Sequence, residues 1–187
     1  MLSKGYILVY IVLDLEATCW MGRPPKGINE IIEIGAVKIN QYGEVLSQFS
    51  KLVKPVVNPR ISGFCSKLTG IKQKQLNLAD PFVKVIVEFK DWVDETNEEY
   101  VLGAWGNNDQ GFLMSDCILH NFETEWLHPF IDIREQYVKF TDSIKKSNLK
   151  FIVEKEGFEF EGNEHSAYTD AYNTSKIFIK YIDEWVS

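Results

Sequence analysis

Cysteine is scarce in this chain, and net positive charge is missing altogether. The three cysteines among 187 residues (Cys19, Cys65 and Cys117) are widely spaced and odd in number. That excludes a disulfide framework and a CxxC zinc site, so no disulfide partner is expected and a reducing, cytoplasmic setting is. The net charge is −7, which argues against nucleic-acid binding through a broad basic surface. No apolar run is long enough for a membrane. Lys4 precedes the apolar run Gly5 to Leu13, but no small-x-small cleavage site follows it, and Asp14 and Glu16 close it. A run of nine is too short to span a bilayer, so the expectation is a buried strand and no membrane partner. Repeats, low-complexity tracts and linkers are also missing, and the length suits one domain over residues 1–187.

What is present is patterned. Hydrophobic residues make up 45% of the chain and aromatics 13%, enough for a core with rings to spare. Between Lys51 and Ala79 there is no acid but six basic residues; from Asp80 to Glu99 seven acids face two lysines. Such runs are usually solvated faces, and the first also suits a local phosphate-contacting edge. Tyr6–Leu13, Ile31–Ile39 and Gln48–Val53 predict three strands, the last two joined by a hairpin turn at Asn40-Gln41-Tyr42-Gly43. Pro55, Pro59 and Gly63 predict an irregular segment. Asp80-Pro81 predicts a helix start, Asp as N-cap and Pro in the first turn, with Phe82, Val85, Phe89 and Trp92 on one face. Tyr100–Trp105 and Phe130–Ile133 predict further strands, and Asp109–His120 and Ser147–Glu156 helices, the second ending at Gly157. A last helix, with Ser166 as N-cap, carries Ala171, Ser175, Phe178, Ile182 and Trp185 on one face. The fold class is therefore α/β, a mixed five-stranded sheet flanked by helices.

Carboxylates gather where these elements end. Asp14 and Glu16 close the first strand with side chains on one face. Neighbouring buried carboxylates repel unless a cation neutralises them, and hard oxygen ligands suit Mg²⁺ or Mn²⁺. Asp109 follows the fourth strand, where it also suits a helix N-cap. His165 and Asp170 bracket the start of the last helix, where an acid is favoured by the helix dipole in any case. Singly these residues are ordinary. As a set, four carboxylates and an imidazole make a site able to hold two divalent cations and a base.

Asp14-Leu15-Glu16-Ala17-Thr18 resembles the first motif of the DEDD exonuclease superfamily, Trp105-Gly106-Asn107-Asn108-Asp109 the second, and His165-Ser166-Ala167-Tyr168-Thr169-Asp170 the third. In that third motif the histidine stands five residues before the aspartate, which marks the histidine (DEDDh) branch, RNase T- and DnaQ-like. Val53-Lys54-Pro55, Ile61 to Ile71 and Phe158 to Gly162 are similar to the subgroup that trims histone-mRNA and small-RNA 3′ ends, with its bacterial KapD-type relatives. Many relatives carry Asp where this chain has Asn107; Asp109 is the only acid between Trp105 and Leu113.

The resemblance implies an RNase H-like fold and a metal-dependent 3′→5′ exonuclease. Its partners would be single-stranded RNA or DNA 3′ ends, and its products nucleoside 5′-monophosphates. The implied ligands of two Mg²⁺ or Mn²⁺ ions are Asp14, Glu16, Asp109 and Asp170, with Asp14 bridging and His165 as general base; an imidazole with a pKa near about 6.5 suits that task at neutral pH. The terminal nucleotide is expected beside Leu15, Ala17, Thr18 and Trp20, then Phe64 and Cys65, each of which also suits core packing. Phosphates upstream would meet the Lys51–Lys74 stretch. A non-catalytic RNA-binding module on the same fold, an RNase H-type endonuclease and a polymerase-bound proofreading subunit stay open. Protein partners are unknown at this point.

Overall fold

In the computed structural model, β1 (Leu8–Ala17) is the strand on which the molecule is organised. The structure describes residues 8–94, 99–141 and 148–185; the expected strand residues Tyr6 and Ile7 and the helix residue Ser147 lie outside them. β1 pairs antiparallel with β2 (Ile31–Asn40), and β2 with β3 (Val45–Lys54). The Asn40 side chain shapes the hairpin between them: its Oδ1 accepts from the backbone N–H of Tyr42 and of Glu44 at 2.9 and 3.0 Å, and Gly43 supplies φ +82°.

The segment from Pro55, expected to be irregular, instead holds two short helices, α1 (Gly63–Thr69) and α2 (Gln73–Leu78). Ser62 starts the first by accepting from Cys65 N–H, and Gly70 ends it at φ +76°. Asp80-Pro81 differs as well. It forms a two-residue strand, β4, parallel to the end of β3, which makes the sheet six-stranded. Proline is tolerated at that sheet edge because nothing there needs its missing N–H. α3 (Phe82–Asp94) follows, burying Phe82, Val85, Phe89 and also Ile86 and Val93, while Trp92 stacks on Phe89 from the rim.

β5 (Glu99–Ala104) pairs parallel with β1 and leads into α4 (Asn108–Leu119); β6 (Phe130–Asp132) lies beyond β5 and leads into α5 (Ile133–Thr141). α6 (Leu149–Lys155) and α7 (Ala167–Lys180) complete the order. The sheet runs β4-β3-β2-β1-β5-β6. Alternation along β1 sorts the two faces: Ile11, Leu13 and Leu15 join the cluster built on α3 and α4, whereas Val12 joins Val37, Ile133 and Phe178 beneath α7 and α5. Val12, Asp14 and Glu16 are in step along the strand, so the acids continue the α7 face past the point where apolar cover ends.

The last helix is shorter than expected. It stops at Lys180, and Ile182 and Trp185 follow in a 3₁₀ turn and its exit. Trp185 still packs on the expected face, its ring stacked on Phe178 at 5.1 Å.

Candidate active site

Three elements deliver the acids to one end of β1. Asp14 and Glu16 come from the strand itself, opposite Gly35 and Glu33 of β2. Asp109 comes from the first turn of α4. It is not the N-cap, a position Asn107 holds without a side-chain bond. Its carboxylate turns inward instead, and Oδ1 accepts the Leu15 N–H at 3.0 Å. Two helical turns further on, Asp116 Oδ2 accepts the Ile31 N–H at 2.8 Å, so one face of α4 is tied to both strands by carboxylates.

His165 and Asp170 come from the entry to α7. His165 has φ +63°, a left-handed conformation costly for a side chain with a Cβ. Its backbone N–H donates to Asp170 Oδ2 at 2.9 Å, which holds the turn closed. Ser166 sits at the N-cap but gives no side-chain cap bond. Glu33 does the capping: its Oε2 accepts the Ala167 N–H at 2.9 Å.

Glu16, His165 and Asp170 each bring a ligand atom within 4.8 Å of the others. Asp14 and Asp109 stand outside that group but interact with it electrostatically. Burial pushes Asp14 well above the carboxylate range, and Asp109, Asp170, Glu16 and Glu33 push it further. Glu16 rises to about 8, from burial first and then from Asp170, Glu33 and Asp109. Asp109 rises to about 7 through burial, against the pull of the Leu15 N–H, and Asp170 to about 6 through burial, against that of His165. The cluster therefore holds its negative charge at a cost. A hard divalent cation relieves that cost, and this donor set, carboxylate oxygens with one imidazole nearby, fits one.

Around the acids the expected pocket residues divide. Phe64 is 43% exposed on α1 and edges a cavity of about 310 Å³ with Lys67 and Leu68. Trp20 and Ala17 are half-buried. Leu15 is 7% exposed, with its side chain in the α3–α4 core and its N–H on Asp109. Thr18 is fully buried, and its Oγ1 accepts the Glu30 N–H at 2.9 Å; the side chain serves the fold and offers no surface to a ligand. Cys65 is likewise buried, against Ile32, Ile71 and Leu76. All three cysteines are free thiols. A second cavity, about 500 Å³, opens between β2, α1 and the α7 entry, lined by Glu33, Lys67, Gln75, Glu164 and Ser166 among others.

Two glutamates escaped the sequence reading. Glu33 looks like the polar position of an amphipathic strand, and only its hairpin register against Glu16 could have drawn notice. Glu30 accepts the backbone N–H groups of Val56, Val57 and Asn58 at 2.7, 2.8 and 2.5 Å, fixing the chain as it leaves β3. No local pattern foretells that contact.

Comparison with known proteins adds the following. The profile of the exonuclease (RNase_T) family matches residues 11–178. The human protein 3′-5′ exoribonuclease 1 is 32% identical over 190 residues, covering 97% of this chain and 54% of its own length. ERI1 exoribonuclease 2 of Danio rerio is 34% identical over 188 residues, covering 89% of this chain and 34% of its own. The chain thus spans about half of the first of these curated relatives and a third of the second. Among solved structures, the nuclease domain of 3′hExo, a DEDDh family member bound to rAMP, superposes with TM-score 0.85 at 30% identity, covering 96% of this chain and 94% of that one. E. coli Exonuclease I with a dA16 oligonucleotide shares the fold at TM-score 0.72 and 13% identity.

Proposed function

The chain belongs to the exonuclease family, and from that premise we propose that it is a metal-dependent 3′→5′ exonuclease that removes nucleoside 5′-monophosphates from single-stranded RNA or DNA ends. The observation that carries the reading is the meeting of Glu16, His165 and Asp170 within 4.8 Å where β1 ends. RNA is favoured over DNA by the relatives described as exoribonucleases.

Asp14, Glu16, Asp109 and Asp170 would hold two divalent cations, Mg²⁺ or Mn²⁺. Bound there, the cations supply Lewis-acid chemistry at a phosphodiester. The chain's own groups do the rest. His165, exposed at the lip of the site and held by its backbone bond to Asp170, would accept the proton of the attacking water. The carboxylates would fix the cations, whose charge would let an anionic phosphodiester approach them. Ala17 would floor the seat of the terminal nucleotide, with Trp20 and the exposed ring of Phe64 as stacking surfaces; Leu15, its side chain in the core, and Thr18 would hold the backbone behind them. Stacking is indifferent to base identity and adds roughly 1–3 kcal/mol per base. Lys67, at the rim of both cavities, would meet an upstream phosphate.

The test is digestion of 5′-labelled single-stranded RNA and DNA with Mn²⁺ or with EDTA. A metal-dependent ladder shortening from the 3′ end is the expected result, and its sugar preference names the substrate. Internal cleavage to oligomers, or no cleavage with metal present, ends the proposal.

A further inference from the structure

Glu33 occupies the junction between the two halves of this site. It lies directly across from Glu16 in the β1–β2 register, and its Oε2 accepts the N–H of Ala167, the first helical residue of α7. Two residues along β2, Gly35 leaves the gap that α7 fills: a Cβ there would lie 2.1 Å from Tyr168 N and 2.2 Å from Ala167 C. The strand thus offers α7 one acceptor and one vacancy. His165 and Asp170 stand two residues before Ala167 and three after it, and they are tied to each other by the His165 N–H. The Glu33–Ala167 bond ties this turn to β2 directly opposite Glu16.

We infer that Glu33 is a positioning residue, whose carbonyl-type oxygen, rather than its charge, sets the third motif at working distance from the first. The side chain must reach Ala167 N–H and accept from it. A glutamine does both without charge. An aspartate keeps the charge but is one methylene too short.

The experiment crosses these two variants, Glu33→Gln and Glu33→Asp. Mn²⁺ affinity is read by calorimetry without nucleic acid, and kcat and KM on labelled single-stranded RNA. Groups that orient ligands are worth about 10–100-fold in metal affinity or activity. Glu33→Gln is expected to stay within about threefold of the parent in both readouts. Glu33→Asp is expected to lose that 10–100-fold in Mn²⁺ affinity and in kcat, with KM nearly unchanged. An aspartate variant that fails to fold beside a glutamine variant that folds and binds also favours the acceptor. Equal impairment of the two, a glutamine variant worse than the aspartate, or an aspartate variant matching the parent overturns the inference. Only the kcat arm rests on the nuclease reading: should the parent digest nothing, that reading fails while the Mn²⁺ ranking still decides the role of Glu33.

Discussion

The N–H of Leu15 donates to Oδ1 of Asp109 at 3.0 Å, across 94 residues of sequence. Leu15 lies between Asp14 and Glu16, so the backbone of the first acidic pair itself orients the acid from α4. The first two motifs are thereby built as one rigid unit. Aligning ligands before the ion arrives limits the reorganisation that binding requires.

Loss of a carboxylate from this unit should remove activity without unfolding the chain. Asp14→Ala and Asp109→Asn are expected to lower kcat by about 10²- to 10⁴-fold, the range of a few kcal/mol of transition-state stabilisation. Asp109→Asn retains an oxygen for the Leu15 N–H, so its melting temperature should stay near the parent's. Single-turnover digestion and thermal melts check the pair of outcomes. A fully active Asp14→Ala enzyme would remove the acid cluster from the mechanism.

A metal-free sample should become less stable as pH rises. Burial, first among the causes, pushes Glu16 up to about 8 and Asp109 up to about 7 in the folded chain, and holds Asp14 well above the carboxylate range. The folded state therefore binds more protons than the unfolded one between roughly pH 4 and pH 8. Stability from these groups is complete below the unfolded values and lost as pH climbs through the folded ones. Melts in EDTA from pH 5 to pH 8.5 should show a falling Tm, about 2–4 °C for each kcal/mol lost, and saturating Mg²⁺ or Mn²⁺ should restore it at the alkaline end. A Tm that is flat in EDTA or unmoved by either ion would contradict the assigned cost.

Glu156, far from the acids in sequence role, shows the opposite sign. Burial pushes its pKa up, but hydrogen bonds from Lys180, Tyr137 and Tyr181 outweigh that and bring it to about 2. The bonds measure 2.8, 2.5 and 2.6 Å. Its stabilisation is present above the unfolded value near about 4.3 and lost as pH falls toward 2. Glu156→Gln should cost about 1–3 kcal/mol at pH 7, and the gap in Tm between variant and parent should narrow in acid.

Much of this was legible in the sequence because strands and acids announce themselves locally. The β-branched runs of β1 and β2 could hardly be anything but central strands, and Asp14, Glu16 and Asp170 stand where such elements end. What was hidden depends on distant partners. α1 and α2 are short and capped by single side-chain bonds, so proline and glycine dominated the reading of residues 55–70. Asp116 looks like a solvent-facing helical acid, yet it is buried against the Ile31 N–H. Lys38 interrupts a buried strand, and its ammonium reaches the Trp92 carbonyl and lies 4.8 Å from that ring. Glu33 has meaning only once α7 is in place.

Gly35 offers a sharper trial of that docking. A methyl group at this position would meet backbone atoms of Ala167 and Tyr168, which cannot swing aside as a side-chain tip can. Overpacking typically costs about 1–3 kcal/mol and more when backbone must move. Gly35→Ala should therefore displace the start of α7, lowering Tm and weakening Mn²⁺ binding together. Unchanged metal affinity in a folded Gly35→Ala chain would mean that the α7 entry adapts freely, and the contact at β2 would lose its importance.

The basic stretch can be separated from all of these by salt. Lys67 and Lys72 are exposed, so their loss should leave the fold intact. Each phosphate neutralised on a single strand contributes a slope of about −0.7 to the dependence of log affinity on log salt. Lys67 borders both cavities, the larger of which Glu33 and Glu164 also line, and its replacement by alanine should reduce the slope by about that amount while kcat at saturation stays put. Lys72 follows Ile71 at that rim without itself lining the cavity, so Lys72→Ala should act more weakly on the same slope. If neither variant alters affinity or slope, the acid-free edge from Lys51 to Ala79 is only a solvated face.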